Sequence, residues 1–333
     1  MKTRLFGTHG PHVGAIGFGA MSFGHFYGPA TDAESHAALK ACLDTGTTHW
    51  DTSNSYGPDI SENIIGAFFK ANAGTRGKVH LATKGGIRRK PGTMERTLDN
   101  TRDYLTEALD GSLRRLGVDH VDLYYIHRRD QSQPIETVME TLLSFKKAGK
   151  IRGIGFSEIA PTTLRRATAI GPVDAVQSEY SLWTRTPELG LIQACRDVGA
   201  AFVPFSPLGR GMLTGTVRTT EPFGKGDFRR SNPRFMEPNF SANLHAVDRL
   251  TAFAEARGVT PGQVSLAWVL AQGEHLIPIP GTRYAKNVRE NAGAAAIALT
   301  AADHAELTRM LPAGFAHGDR YNEAQWIGPE RYC

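Results

Sequence analysis

Short apolar runs recur along this chain at intervals that leave room for one helix between each pair. They are VGAIGFG (13–19), THW (48–50), VHLAT (79–83), VDLYYI (121–126), IRGIGF (151–156), VDAVQ (173–177), AAFVPF (200–205) and LIPIP (276–280). Near-continuous apolar strands are buried on both faces, which is the situation in a parallel sheet covered by helices. The segments between them carry helix punctuation. Thr31 with Glu34, Asp59 with Glu62, and Thr260 with Gln263 have capping-box spacing. Pro134, Pro187 and Pro261 stand where a first helical turn would start, and Gly46, Gly117, Gly149 and Gly199 where helices would stop. In the fourth such segment Ile135, Val138, Met139, Leu142 and Leu143 recur at helical spacing and are expected to face the sheet.

Eight strand–helix units in 333 residues fit one closed (β/α)8 TIM barrel spanning residues 1–333. An open doubly wound sheet is the competitor. If it bound a dinucleotide it would carry Gly-x-Gly-x-x-Gly after its first strand, but Gly17-Phe18-Gly19 continues into Ala-Met-Ser. One segment breaks the rhythm. Residues 207–240 form a long connection after the seventh run, rich in Gly, Pro and Arg. Loops of that length are either mobile excursions or functional, and here the sharper expectation is a flap over an anionic cofactor.

Composition removes several function classes. No apolar run reaches the roughly 18 residues that would span a membrane. The first residues, MKTRLFGTHG, lack the apolar core of a signal peptide. Cys42, Cys195 and Cys333 are too widely spaced for a disulfide framework or a zinc pattern, so a reducing, cytoplasmic setting is expected. The net charge of +5 is dispersed except at IRRKPG (87–92) and KKAGK (146–150). That pattern speaks against nucleic acid as a partner and suits an anionic small molecule.

Chemistry gathers at the ends of consecutive runs. Asp51 ends the second, Lys84 the third and His127 the fourth, and Tyr56 follows just after Asp51. In a parallel barrel these ends share one mouth, where barrel active sites lie. Each residue also has a plain structural use: an Asp capping a helix, a solvated Lys, a structural His, a Tyr packing a turn. Together they describe a general acid. The ammonium of Lys84 is expected to lower the phenol pKa of Tyr56, Asp51 to orient Lys84, and His127 to hold a carbonyl oxygen. No nucleophile is needed, so a hydride donor has to come from outside the protein. The chain has no Gly-x-Ser-x-Gly elbow and no His-Glu-x-x-His, and its histidines do not fall at ligand spacing. No metal is expected, which leaves a metal-dependent barrel hydrolase as the weaker reading.

WDTSNSYG (50–57), LATKGG (81–86), YYIHRRD (124–130), IRGIGFSE (151–158), PFSPLGRGMLTG (204–215) and IPIPGTRYAKNVREN (277–291) stand in this order along the chain. In that order they resemble the signature segments of the aldo-keto reductases. FYGP (26–29) and GDRY (318–321) look like the branch that contains pyridoxal reductases and auxin-induced-type proteins. The resemblance implies a (β/α)8 barrel with a C-terminal substrate loop and NADPH-dependent carbonyl reduction, NADH being the weaker cofactor. By position, Asp51, Tyr56, Lys84 and His127 match the catalytic tetrad, with Tyr56 as proton donor. The same matching puts Met21 on the cofactor and Ser157, Gln177 and Phe205 around the nicotinamide. It puts Ser206, Leu208, Gly209 and Arg210 on the pyrophosphate, and Gly281, Thr282, Arg283, Asn287, Glu290 and Asn291 around the adenosine phosphate. Phe26, Tyr27, Trp183, Arg320 and Tyr321 are the substrate contacts it suggests. There are three departures: Phe205 for a tyrosine, Glu158 for an asparagine, and Asn287 where many members have an arginine against the 2′-phosphate. A regulatory subunit that senses NADPH with little turnover is the alternative of another class.

Overall fold

The structure is a computed structural model that describes residues 1–89 and 96–332. Cys333 and the Lys90–Gly92 end of the basic run lie outside the described residues. The strands are β1 (Thr3–Leu5), β2 (His12–Gly14), β3 (Phe18–Gly19), β4 (His49–Asp51), β5 (His80–Gly85), β6 (Ile87–Arg89), β7 (Arg96–Leu98), β8 (Val121–Ile126), β9 (Ile151–Ser157), β10 (Ala175–Glu179) and β11 (Ala201–Phe205). The α-helices are α1 (Asp32–Thr45), α2 (Ile60–Ala71), α3 (Arg102–Leu116), α4 (Ile135–Lys147), α5 (Pro161–Thr168), α6 (Leu191–Val198), α7 (Asn239–Glu255), α8 (Pro261–Ala271), α9 (Ala285–Gly293) and α10 (Ala301–Met310).

Among the described residues seven strands form a parallel sheet in the order β11-β10-β9-β8-β5-β4-β3. The eighth run closes the barrel without forming a regular strand. Ile277 and Ile279 donate to the carbonyls of Phe202 and Pro204 at 2.9 and 3.0 Å. On the other side Gly17 and Gly19 donate to Pro278 and Pro280 at 2.9 and 3.3 Å. The two prolines have no N–H to return, so half of that ladder is missing and closure rests on single bonds. The first run also divides. Its beginning pairs antiparallel with β1 as a hairpin, and only Phe18–Gly19 enters the sheet. Phe6, beside this hairpin, packs against His49 and His80 with ring centroids 4.7 and 4.4 Å apart.

Strand alternation sorts the core. Trp50, Leu81, Tyr124, Ile154, Val176 and Phe202 point outward into the layer under the helices. Ala82, Leu123, Tyr125, Ala175, Ala201 and Val203 fill the barrel itself. The inward set continues two residues further to Lys84, His127, Gln177 and Phe205, which therefore emerge at the carboxyl end of the barrel.

The helix signals hold with two exceptions. Thr31 and Thr260 make reciprocal capping boxes with Glu34 and Gln263. Asp59 does not, because it adopts φ 67° and Glu62 turns inward to Thr83 and Arg115. Pro187 sits in a 3-10 turn, and α6 starts later, after Gly190. Residues 207–240 are not structureless: they carry 3-10 turns at Gly209–Thr214, Phe228–Ser231 and Pro233–Phe235. Among the described residues no helix is long and apolar enough to cross a membrane.

Candidate active site

The mouth of the barrel opens into a cavity of about 600 Å³. Asp51, Tyr56 and His127 line it, and Lys84 lies fully buried behind them. Lys84 Nζ donates to Asp51 Oδ1, to the Thr52 carbonyl at 2.9 Å and to the Tyr56 hydroxyl at 3.1 Å. Gln177 Nε2 donates to the other oxygen of Asp51 at 2.8 Å. The carboxylate is thus shared between strands β4, β5 and β10, and the ammonium has one direction left, toward Tyr56.

Tyr56 is held by its backbone. The turn Ala20–Gly24 lies so close to it that a Cβ on Gly24 would meet Gly57 N and Tyr56 C at 2.6 Å each. The phenol ring stands edge-on to His127, centroids 5.7 Å apart and planes at 86°. His127 Nδ1 lies 3.2 Å from Ser53 Oγ and 3.3 Å from Ser55 Oγ. A serine hydroxyl donating to Nδ1 leaves the proton on Nε2, the nitrogen free to donate to a ligand.

Burial shapes the charges. It lowers His127 well below the ordinary histidine range, and Arg128, Lys84, Arg96 and Arg89 act in the same direction, so the imidazole is neutral. Burial also lifts the Asp51 carboxyl, against the pull of Lys84. For Lys84, burial works against the charge, yet Asp51 and Tyr56 raise its pKa overall. The Tyr56 phenol departs from the sequence expectation. Lys84 does pull it down, but burial outweighs that pull and the phenol is raised above 10.0. It therefore holds its proton at neutral pH.

The match to known proteins runs almost end to end. Residues 15–312 match the model of the aldo/keto reductase family. The chain belongs to that family. It is 45% identical over 312 residues to the NADP(+) aldo-keto reductase yakc of Schizosaccharomyces pombe, covering 93% of this chain and 92% of that one. It is 38% identical over 316 residues to probable aldo-keto reductase 1 of Glycine max, covering 95% and 90%. Among solved structures it resembles a glycerol dehydrogenase of Gluconobacter oxydans with TM-score 0.84 at 27% identity, covering 93% and 94%.

In this reductase most of the residues singled out from the sequence share the cavity. Met21, Phe26, Tyr27, Gln177, Phe205, Ser206, Leu208, Arg210, Gly281, Thr282, Arg283, Asn287, Glu290, Asn291 and Tyr321 all line it. Four do not. Ser157 is covered by Arg128, whose Nη1 donates to its hydroxyl at 2.9 Å. Gly209 and Trp183 pack on each other: a Cβ on Gly209 would come within 2.4 Å of the indole. Arg320 pairs with Glu158, Nη1 to Oε1 being 3.0 Å, and so turns away from the mouth. The Glu158 departure thus has a structural partner in Arg320. Arg210 does reach the wall, but its guanidinium donates to Glu179 at 2.7 and 3.3 Å.

The long loop crosses the cavity. Phe228 N donates to the Phe26 carbonyl at 2.9 Å, and Arg229 lies over the Tyr27 ring at 5.4 Å. Sequence reasoning missed Arg89, Arg96 and Arg128, all on the cavity wall, and the serines that hold His127. Arg128 directly follows His127, so adjacency was the available signal. Arg89 lies in the basic run 87–92, which gave charge as a signal but no pairing, because the β6–β7 segment lacks apolar alternation.

A dinucleotide fits this wall. Phe205 offers a half-buried ring beside Gln177 at one end. At the other, Arg283 lies against the Tyr27 carbonyl, and its Nε is buried without a hydrogen-bond partner among the described residues. A guanidinium with a buried N–H still unbonded there suits a phosphate. Asn287 Nδ2 donates to Thr282 Oγ1 at 3.1 Å on the same wall.

Proposed function

We propose that the chain reduces an aldehyde or ketone to the alcohol with NADPH, Tyr56 donating the proton. The observation that carries this reading is the single ammonium of Lys84 bonded to both Asp51 and the Tyr56 hydroxyl at the cavity mouth. The bound cofactor would supply the hydride. Everything else falls to the chain's own side chains. His127, neutral and held at Nδ1 by serine, donates from Nε2 to the carbonyl oxygen and aims it at Tyr56. An alkoxide is far more basic than a phenolate, so Tyr56 gives up its proton although burial raises its pKa. The phenolate left behind lies 3.1 Å from Lys84, and this is where the ammonium acts: it stabilises the product state of the donor. Asp51 keeps Lys84 charged in a site where an unpaired ion would be costly.

The name of the Schizosaccharomyces pombe relative and the unbonded Nε of Arg283 both support NADP(H), with NADH the weaker cofactor. Tyr56, Phe26 and Tyr27 would meet the substrate on one side and Tyr321 on another. The test is a panel of carbonyls, pyridoxal and aryl and sugar aldehydes included, followed at the nicotinamide absorbance with NADPH and NADH. Turnover with NADPH is expected. Tight NADPH binding with no reduction of any member would overturn the enzyme reading in favour of a sensor.

A further inference from the structure

The cavity wall treats its arginines in two ways. Arg210 is matched by Glu179 and Arg229 by Asp227, each at 2.7 Å. Arg89, Arg96 and Arg128 are not matched by any carboxylate of the described residues. Among the described residues none of them has a carboxylate within ion-pair distance. Their hydrogen-bond acceptors there are neutral oxygens. Arg89 reaches the Ser55 carbonyl at 3.4 Å and Arg96 the Ala324 carbonyl at 3.4 Å. Arg128 reaches the His127 carbonyl at 2.7 Å, Ser157 Oγ at 2.9 Å and the Tyr321 hydroxyl at 3.4 Å. Arg89 Nε is buried and without a hydrogen-bond partner among the described residues.

These three guanidiniums come from the β6–β7 hairpin and the end of β8, and they line the cavity together with Tyr56 and His127. Arg89 and Arg128 are close enough to Arg96 to make its charge less favourable, and all three do the same to His127. Among the described residues the carboxylates on the cavity wall are Asp51, already paired with Lys84, and Glu290, which accepts from Thr260 on the far side. Among the described residues the reacting end of the cavity is therefore a concentration of positive charge facing space for a small molecule. Placing cations together without counter-charge costs stability, and an anion brought in by a ligand removes that cost.

We infer that the substrate is a carbonyl compound carrying an anionic group, a carboxylate or a phosphate, held by Arg89, Arg96 and Arg128 while its carbonyl lies against Tyr56 and His127. The inference rests on the carbonyl-reductase reading above. The anionic group is a handle: the reaction adds a hydride to the carbonyl carbon and a proton to its oxygen and leaves the handle unchanged. Guanidinium forks suit both oxyanions by bidentate bonding.

The experiment compares matched pairs on the full-length enzyme with NADPH. One pair is 4-carboxybenzaldehyde against 4-methylbenzaldehyde, and the other is glyceraldehyde 3-phosphate against glyceraldehyde. The two pairs separate carboxylate from phosphate. The anionic member is expected to have the higher kcat/KM by about tenfold or more in at least one pair. That preference should shrink as salt rises, because the arginines are partly open to solvent. It should also collapse toward unity in Arg89→Gln and Arg96→Gln. Equal kcat/KM within both pairs, or a preference that both substitutions and salt leave intact, would overturn the assignment. If no aldehyde of either kind is reduced, the reductase reading itself fails; if neutral aldehydes are reduced as well as charged ones, only the anion subsite does.

Discussion

Two buried ionic clusters stand a few residues apart in this barrel and do opposite things with charge. At the mouth, one carboxylate and one ammonium are set beside a phenol and an imidazole that both stay neutral. Around the ends of β9 and β10, two carboxylates, Glu158 and Glu179, are met by Arg210, Arg234 and Arg320. Thr184 donates to Glu179 at 2.9 Å and accepts from Arg234 at 2.7 Å. The second cluster ties strand ends to the long loop and to the C-terminal segment, and its guanidiniums are occupied by protein. The first leaves hydrogen-bonding capacity directed at open space. Buried charge therefore offers itself to a ligand here only where the protein leaves one side of it unfinished.

Removing the donor tests the mouth. Tyr56→Phe deletes one oxygen, and the Lys84–Asp51 pair persists without it. Carbonyl reduction should fall by roughly 10²–10⁴-fold, the usual contribution of a positioned general acid. NADPH binding, read by fluorescence titration, and the urea midpoint should change little. Wild-type turnover in this variant would show that the unfinished side of the cluster is not where the proton comes from.

Removing a counter-charge tests the other cluster. Glu179→Gln leaves Arg210 and Arg234 buried without their carboxylate and Arg320 with Glu158 alone. Breaking a buried pair from one side costs about 3–5 kcal/mol, and a loss of that order is expected in urea unfolding. A loss below about 1 kcal/mol, the value of an exposed pair, would remove the distinction between the two clusters.

The same contrast explains what could be read from the sequence. Asp51, Lys84, His127, Gln177 and Phe205 each follow an apolar run by even spacing, so pattern and side-chain direction agree. The convergence of Asp51, Lys84 and His127 on one mouth was legible because strand ends carry them. Arg320 was assigned to substrate, yet its partner Glu158 lies 162 residues away, a pairing no local pattern encodes. Arg89 and Arg96 stand on a short hairpin with no apolar face, and the closing run reads as a strand although its prolines deny it half a ladder. The upward shift of Tyr56 was missed for a related reason. A neighbouring ammonium is visible in sequence, but the depth of burial that overrides it is a property of the folded mouth.

Acidity separates the two clusters from opposite sides of neutrality, with a smaller effect than either substitution. Burial alone would raise Glu179, but Arg210, Arg320 and Arg234 together hold it below the ordinary value of 4.5. A depressed carboxyl stabilises the fold above its unfolded pKa and loses that contribution as pH falls through the folded one, so this cluster weakens only in acid. The mouth behaves otherwise. His127, lowered well below 6.5, gains no charge as pH falls through the usual histidine range. Tyr56, raised above 10.0, keeps its proton until the solution is strongly alkaline. kcat/KM for carbonyl reduction should therefore vary by no more than about twofold between roughly pH 6 and 9, since neither the donor nor the orienting group titrates there. Oxidation of the product alcohol needs the phenolate and should instead climb with pH across that interval. An inflection of the reduction rate near pH 6.5 that disappears in His127→Gln would mean that the imidazole charges at the mouth, and the neutral half of the comparison would then be wrong.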